Sequence, residues 1–384
     1  MLFLPILDRV DDFPDRSAII DSKGRRISYA ELELQSSQLA AAWKAEGLHF
    51  GMRVLVAEQP SISFYVAILA LWRIGAAAIF AEPFTGLEGI RHAARKLSPD
   101  GIIASGKADL LLRFIPETRR ISLRLNPRMR SDYRHGLTVE SPDEIASYSF
   151  GRDNAGASVC VARSHRFMLA QNKAMQELLH SDDDIDLVWC PEFVFFCLAT
   201  GSTAVLPRVK PQKPGVANIS ALTQQVEDLG ISRLIAPPPI VIALGRADVG
   251  FNTIFTHGTP VSPHDMPQIA AMSSKAYVMY GCTEAEPVAV LDLDDVGPEE
   301  FQHMCDGKGV LAGYPVHHVD VRIRDDEILV AGQHIVEGYV GVTDHETKVR
   351  IDDRIWHRTG DGGHIDMRGR LWLQEPTRAR SANL

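Results

Sequence analysis

Two short segments hold the residue types best suited to chemistry in this chain. One is Val278–Glu284, with Tyr280, Gly281, Thr283 and Glu284 after an apolar start; the other is His357–Asp361, which closes on Thr359, Gly360 and Asp361. Each ends in an acidic residue at what reads as a strand-to-loop junction, where open α/β sheets present groups to their ligands. Either segment alone is ordinary turn chemistry, because glycine and aspartate are turn formers. Together they point to a nucleotide site, and specifically to one for AMP.

The elements that must position them alternate along the chain. Tyr29–Gly47 carries Leu32, Leu39, Ala42 and Trp43 near helical spacing, and Arg53–Ala57 follows as a short buried strand. Phe64–Gly75 reads as a helix closed by its glycine, and Ala76–Phe80 as the next strand. Gly101–Ala104, the helical Phe167–Leu179 and Leu187–Trp189 repeat the rhythm. Such alternation predicts an α/β protein with two mainly parallel sheets covered by helices. From Glu327 the pattern changes to short glycine-punctuated strands: Glu327–Gly332, Gln333–Tyr339, Ile355–Asp361 and Gly369–Leu373. These predict a small C-terminal β-barrel-like subdomain. The expected division is a first α/β subdomain over 1–140, a second over 141–315, a small β subdomain over 316–373 and a tail over 374–384.

Composition excludes several functions. The 384 residues are 45% hydrophobic, yet no apolar run approaches the length of a membrane span. Met1–Pro5 is apolar without the basic start of a secretory signal, so the expected location is cytoplasmic. A net charge of -9, from 40 basic and 49 acidic residues, offers nucleic acid no electrostatic attraction. Five cysteines without a C-x-x-C pair read as reduced and buried, forming neither disulfides nor a metal framework. The acidic run Ser181–Asp186 reads as a solvated turn, and His317 and His318, adjacent before an alternating strand, face opposite ways and cannot easily share a metal.

On these residues the chain resembles the adenylate-forming superfamily of acyl-CoA synthetases, nonribosomal peptide adenylation domains and luciferases. Arg26–Leu32 is similar to the family's opening strand and helix, and Trp72–Pro83 to its early glycine-alanine strand. Phe255–Val261, Tyr280–Glu284, Asp326–Gly332 and His357–Asp361 match further family motifs in the expected order. The resemblance covers nearly the whole chain and implies the fold of the large N-terminal domain of these enzymes.

It also implies roles. Tyr280 would stack on adenine beside Gly281, and the backbone of His257, Gly258 and Thr259 would hydrogen-bond the exocyclic amine. Thr283 would present its hydroxyl to the α-phosphate, Glu284 would hold Mg²⁺, and Asp361 would accept from the ribose hydroxyls. Thr283 and Glu284 are thus the expected catalytic pair, with ATP or AMP and Mg²⁺ as cofactors. In such enzymes a carboxylate attacks the α-phosphate, pyrophosphate leaves, and the acyl group passes to a thiol.

Two departures qualify this. The family's phosphate loop is rich in hydroxyls and glycine and carries a lysine; here Ser149–Cys160 keeps only Gly151, Arg152, Asn154, Gly156 and Ser158, and the lysine position falls on Val159 or Cys160. Asp153 adds a negative charge, which Arg152 partly compensates. Losing two or three charge-assisted hydrogen bonds, at roughly 1.5–3 kcal/mol each, weakens triphosphate binding by roughly two to six orders of magnitude. Second, Glu375 and Pro376 stand where the family's hinge is expected, so the family's lysine-bearing C-terminal domain is expected to be absent from this chain or supplied by a separate protein.

Trp189, Phe193 and Phe195, with Phe196, are candidates for an apolar acyl pocket, and core packing explains them equally well. The reading is therefore an acyl-adenylate-forming ligase-like protein. It would activate an aromatic or fatty carboxylic acid for transfer to coenzyme A or an acyl carrier protein, with no nucleic-acid or membrane partner. The alternative is a catalytically degenerate member that serves as an AMP-binding scaffold or regulatory partner.

Overall fold

Ser28 starts the Tyr29–Ala45 helix with a reciprocal cap: its hydroxyl accepts from Glu31 N at 3.2 Å, and the Glu31 carboxylate accepts from Ser28 N at 2.9 Å. The next helix, Ile62–Ile74, is buried continuously from Phe64 to Ile74 and has no polar face at all, as befits a helix enclosed by others. Gly75 ends it in the left-handed conformation, where an added Cβ would also lie 2.5 Å from the Phe50 ring. Arg73, inside that apolar helix, is tolerated because it reaches Glu33 at 2.8 Å and Ser36 Oγ at 3.2 Å.

The computed structural model describes residues 3–81, 85–138, 141–152, 158–179, 183–208, 218–336, 339–341 and 347–374, and the backbone alone of Arg152. It has two compact units, Met1–Leu169 with Cys197–Leu206, and Ala170–Phe196 with Pro207–Leu384. In the first, six strands run in the spatial order Leu123–Leu125, Gly101–Ile103, Arg53–Val56, Ala77–Phe80, Ile145–Arg152 and Ser158–Ser164. All neighbours are parallel except the last pair. Ile145–Arg152 pairs with Ala77–Phe80, so the phosphate-loop segment, assigned from sequence to a subdomain over 141–315, sits in the first unit.

In the second unit Ile185–Val188, Arg233–Ala236, Phe251–Thr256 and Ser273–Cys282 are parallel neighbours in that order. The sheet then continues antiparallel through Ala285–Asp292, Val310–Pro315, Leu371–Gln374, Arg354–Ile365, Glu327–Gly332 and Val319–Arg324. The C-terminal strands are thus an open extension of the parallel sheet and not a closed barrel; glycine punctuation reads the same in both. The strand expected over Gln333–Tyr339 does not form among the described residues, where Ile335 makes an isolated bridge to Ala285; residues 337 and 338 lie outside them.

Two other expectations change. Of the acidic run, Asp183 is exposed as expected, but the part-buried Asp184 and the buried Asp186 both bind the buried Arg233, Asp184 Oδ2 at 2.7 Å and Asp186 Oδ2 at 2.9 Å, and residues 181 and 182 lie outside the described residues. Parallel pairing of Arg233 with Asp186 brings the opposite charges together, a contact that local sequence does not announce. All five cysteines are free, but Cys305 is exposed. Among the described residues no helix is long and apolar enough to cross a membrane.

Candidate functional site

The two acidic junctions meet in the second unit. Tyr280 lies near the end of the Ser273–Cys282 strand, and its phenol donates to Asp361 Oδ2 at 2.7 Å across 81 positions of sequence. Beyond Tyr280 the pairing with Ala285–Asp292 slips, and Cys282 opposes Ala285, leaving Thr283 and Glu284 as the two-residue tip. Such irregularities re-aim side chains at the end of a ladder. Gly281 permits the tip, because a Cβ there would lie 2.7 Å from Ala285 O.

Glu284 is buried, which a lone carboxylate would resist. It is held instead by Val336 and Tyr339: Val336 N donates to its carbonyl at 2.9 Å, and the Tyr339 hydroxyl donates to Glu284 Oε1 at 2.7 Å. Asp361 is fixed by its own turn. Its N–H donates to Thr359 Oγ1 at 3.1 Å, Thr359 Oγ1 donates to Ile328 O at 2.9 Å, and Gly360 N donates to Glu327 Oε1 at 3.2 Å. Arg358 neutralises Glu327 from the other side. Burial lifts the Asp361 pKa above the usual aspartate value, Tyr280's hydrogen bond opposing and Glu327 adding to the rise. Burial and the neighbouring Asp361 likewise hold Tyr280 well above the usual tyrosine value, so the phenol stays a donor.

The Phe251–Thr256 strand delivers His257, Gly258 and Thr259. Gly258 takes φ 93, a left-handed conformation, and with Thr259 is exposed, so their backbone is accessible. The His257 side chain turns inward: its ring centroid lies 4.2 Å from that of Phe193 and its Nδ1 3.3 Å from Glu286 Oε1. Gln171 anchors Glu286 by donating to its carbonyl at 2.9 Å. Burial opposes charge on the His257 ring, but Cys190 and Glu286 outweigh it and raise the pKa well above the usual histidine value.

Trp189, Phe193 and Phe195 are all buried, and the Phe193 ring lies against His257. In the first unit Gly151 pairs with Val159 and Arg152 with Ser158, while Asn154 and Gly156 lie outside the described residues. Val159 and Cys160 are buried, and burial pushes the Cys160 thiol up to about 11. Tyr339 and Glu286 were not anticipated, and His357 was singled out only as the start of its segment, with no role of its own. Tyr339 is 55 positions from the carboxylate it binds, so no local pattern signals the pair.

Cys282 Sγ, a Glu284 carboxylate oxygen and a His357 ring nitrogen all lie within 4.8 Å of one another. As a site for Mg²⁺ this set fits in part: one carboxylate matches an ion that takes oxygen ligands, while the thiol and imidazole beside it do not. His318, by contrast, is paired with Glu177 at 3.0 Å, and its ring centroid is 6.5 Å from that of His317.

This architecture is that of the N-terminal domain of adenylate-forming enzymes. The fold matches the Klebsiella oxytoca NpsA N-terminal subdomain in complex with 3-hydroxybenzoyl-AMSN (TM-score 0.81, 20% identity, 96% of each chain covered). It also matches the o-succinylbenzoate CoA synthetase (MenE) of Bacillus subtilis in complex with the acyl-adenylate intermediate OSB-AMP (TM-score 0.81, 16% identity, 97% of this chain and 98% of that one). The sequence profile described as "AMP-binding enzyme" matches residues 7–145 and 156–340, and the chain belongs to that family. Among its relatives an olefin beta-lactone synthetase of Xanthomonas campestris pv. campestris is 26% identical, covering 96% of this chain and 77% of the relative. The 4-coumarate–CoA ligase CCL1 of Humulus lupulus is 25% identical over 95% of this chain and 74% of its own length.

Proposed function

We propose that this protein binds adenylate and activates a carboxylic acid as an acyl-AMP, for transfer to a thiol in the cytoplasm. The observation that carries this is the 2.7 Å bond from Tyr280 to Asp361, which joins the two acidic junctions into one part-buried site in a chain of the AMP-binding family. In this reading the ribose hydroxyls donate to Asp361, adenine stacks on Tyr280, and the exposed backbone of Gly258 and Thr259 meets the adenine edge. Thr283 donates to the α-phosphate. Glu284 would hold a Mg²⁺ that, when bound, neutralises phosphate charge. Tyr339 keeps the carboxylate in place for it.

The chemistry is an exchange at phosphorus followed by one at carbon. The acid's carboxylate oxygen bonds to the α-phosphorus as the bond to pyrophosphate breaks; a thiolate then bonds to the acyl carbon as AMP leaves. Phe193 and the buried His257 would border the acid, with Trp189 and Phe195 behind them. The relatives' names include coenzyme A ligases and lactone synthetases, so the acids worth testing include a β-hydroxy acid, whose own hydroxyl can displace AMP.

A second reading, an AMP-binding scaffold that does not turn over ATP, is favoured by Val159 and Cys160, neutral and buried at the expected lysine position. ATP–pyrophosphate exchange across aromatic, fatty and β-hydroxy acids separates the two. Exchange that disappears in Glu284→Ala supports the ligase; no exchange with any acid, together with measurable AMP binding, supports the scaffold.

A further inference from the structure

Magnesium would use only one of the three donor groups gathered at the tip. Cys282 ends its strand and Glu284 stands two residues on, so the strand reversal places both on one tip. His357 comes from the Arg354–Ile365 strand, and both it and Glu284 are buried, with Cys282 part-buried. A thiol, a carboxylate and an imidazole whose ligand atoms lie within 4.8 Å of one another form a donor set of mixed softness. It is the kind that zinc accepts in open, three-ligand sites and that magnesium does not.

We propose that Cys282, Glu284 and His357 form a binding site for a thiophilic divalent cation, Zn²⁺ by its chemistry. In tetrahedral coordination with bonds of about 2.0–2.3 Å, neighbouring ligand atoms lie about 3.3–3.8 Å apart. The three atoms, all within 4.8 Å of one another, therefore need to close by no more than about 1 to 1.5 Å, within reach of small side-chain rotations. Tyr339 already donates to Glu284 Oε1, the outer-sphere bond that commonly orients a ligating carboxylate. The fourth position belongs to water or a small anion. The inference shares Glu284 with the adenylation reading but does not depend on it, because it concerns the protein without nucleotide.

The test uses the full chain carrying Cys305→Ser, which removes the exposed thiol, after chelation and dialysis. Addition of Co²⁺ is expected to produce a thiolate-to-cobalt absorption band that saturates at one equivalent, is bleached by one equivalent of Zn²⁺, and survives a thousandfold excess of Mg²⁺. Cys282→Ser should abolish the band and His357→Gln should weaken zinc binding at least tenfold in competition with a chromophoric chelator. No band, a band that persists in Cys282→Ser, or bleaching by Mg²⁺ overturns the proposal. If Cys282→Ser does not fold, zinc X-ray absorption on the Cys305→Ser protein decides: a sulfur neighbour alongside lighter ligands supports the site, and a shell of oxygen and nitrogen alone rejects it. AMP binding in Mg²⁺, followed by calorimetry on the same samples, reports separately on the nucleotide reading.

Discussion

Two stretches of this chain were expected to meet phosphate, and they are built from different materials. At and just before the Cys282–Ala285 tip, buried and part-buried polar groups are held by partners from far along the sequence, Tyr280 by Asp361 and Glu284 by Tyr339. In the strand pair Ile145–Arg152 and Ser158–Ser164, the corresponding stretch presents Val159 and Cys160, both buried and neutral. Burying a carboxylate is costly unless something binds it, so a polar tip with dedicated partners implies a purpose beyond packing. A strand position filled by valine and cysteine needs no purpose beyond the core. Within the proposed reading, this contrast predicts that the monophosphate portion of a nucleotide is recognised in preference to the triphosphate.

The largest expected effect comes from removing the acceptor that the reading assigns to ribose. Asp361→Ala should weaken AMP about 10- to 100-fold, the equivalent of roughly 1.5–3 kcal/mol for charge-assisted hydrogen bonds. Because burial raises this carboxylate's pKa, its charged form is held at a cost, and the melting temperature should not fall by a comparable amount. Calorimetry showing unchanged AMP affinity would remove the polar tip's side of the contrast. Next in size, Tyr339→Phe leaves a buried carboxylate oxygen without its donor and should cost about 1–3 kcal/mol in urea denaturation. A loss below about half a kcal/mol would mean that Glu284 needs no such partner.

The comparison itself is tested by measuring ATP against AMP in Mg²⁺. The two should bind within about tenfold of one another, a gap smaller than one charge-assisted bond. ATP binding a hundredfold tighter would show that the strand pair, despite its buried valine and cysteine, leads to a working phosphate loop.

The smallest effect concerns pH. His257 has its folded pKa raised above the ordinary value of 6.5, so its protonation adds stability that is fully present below pH 6.5 and is lost as pH rises through the folded value. The stability difference between the wild-type chain and His257→Gln should therefore shrink between pH 6 and pH 9. A difference that grows with pH would mean that the ring is buried neutral.

Much of the scaffold could be read in advance because it rests on local rules. The helices Tyr29–Ala45 and Ile62–Ile74 follow from a capping box, apolar spacing and a closing glycine. The parallel strands follow from short apolar runs between them. The C-terminal strands were recognisable as strands, but their closure was not, since glycines and alternation look the same in an open sheet and a barrel. Asp184 and Asp186 were misread for a related reason: solvation is the default for clustered aspartates, as holds for Asp183, until an arginine on a neighbouring strand draws two of them away from water.

The sequence by itself determined the order of helices and strands, the family to which the chain belongs, and the residue types at the two acidic junctions. These depend on spacing, turn residues and burial preference within short windows. Only the tertiary structure decided that Tyr280 meets Asp361, that Tyr339 steadies Glu284, and that Cys282 and His357 stand beside that carboxylate. Such pairings depend on strand order and register across the sheet, which bring together groups that no local pattern connects.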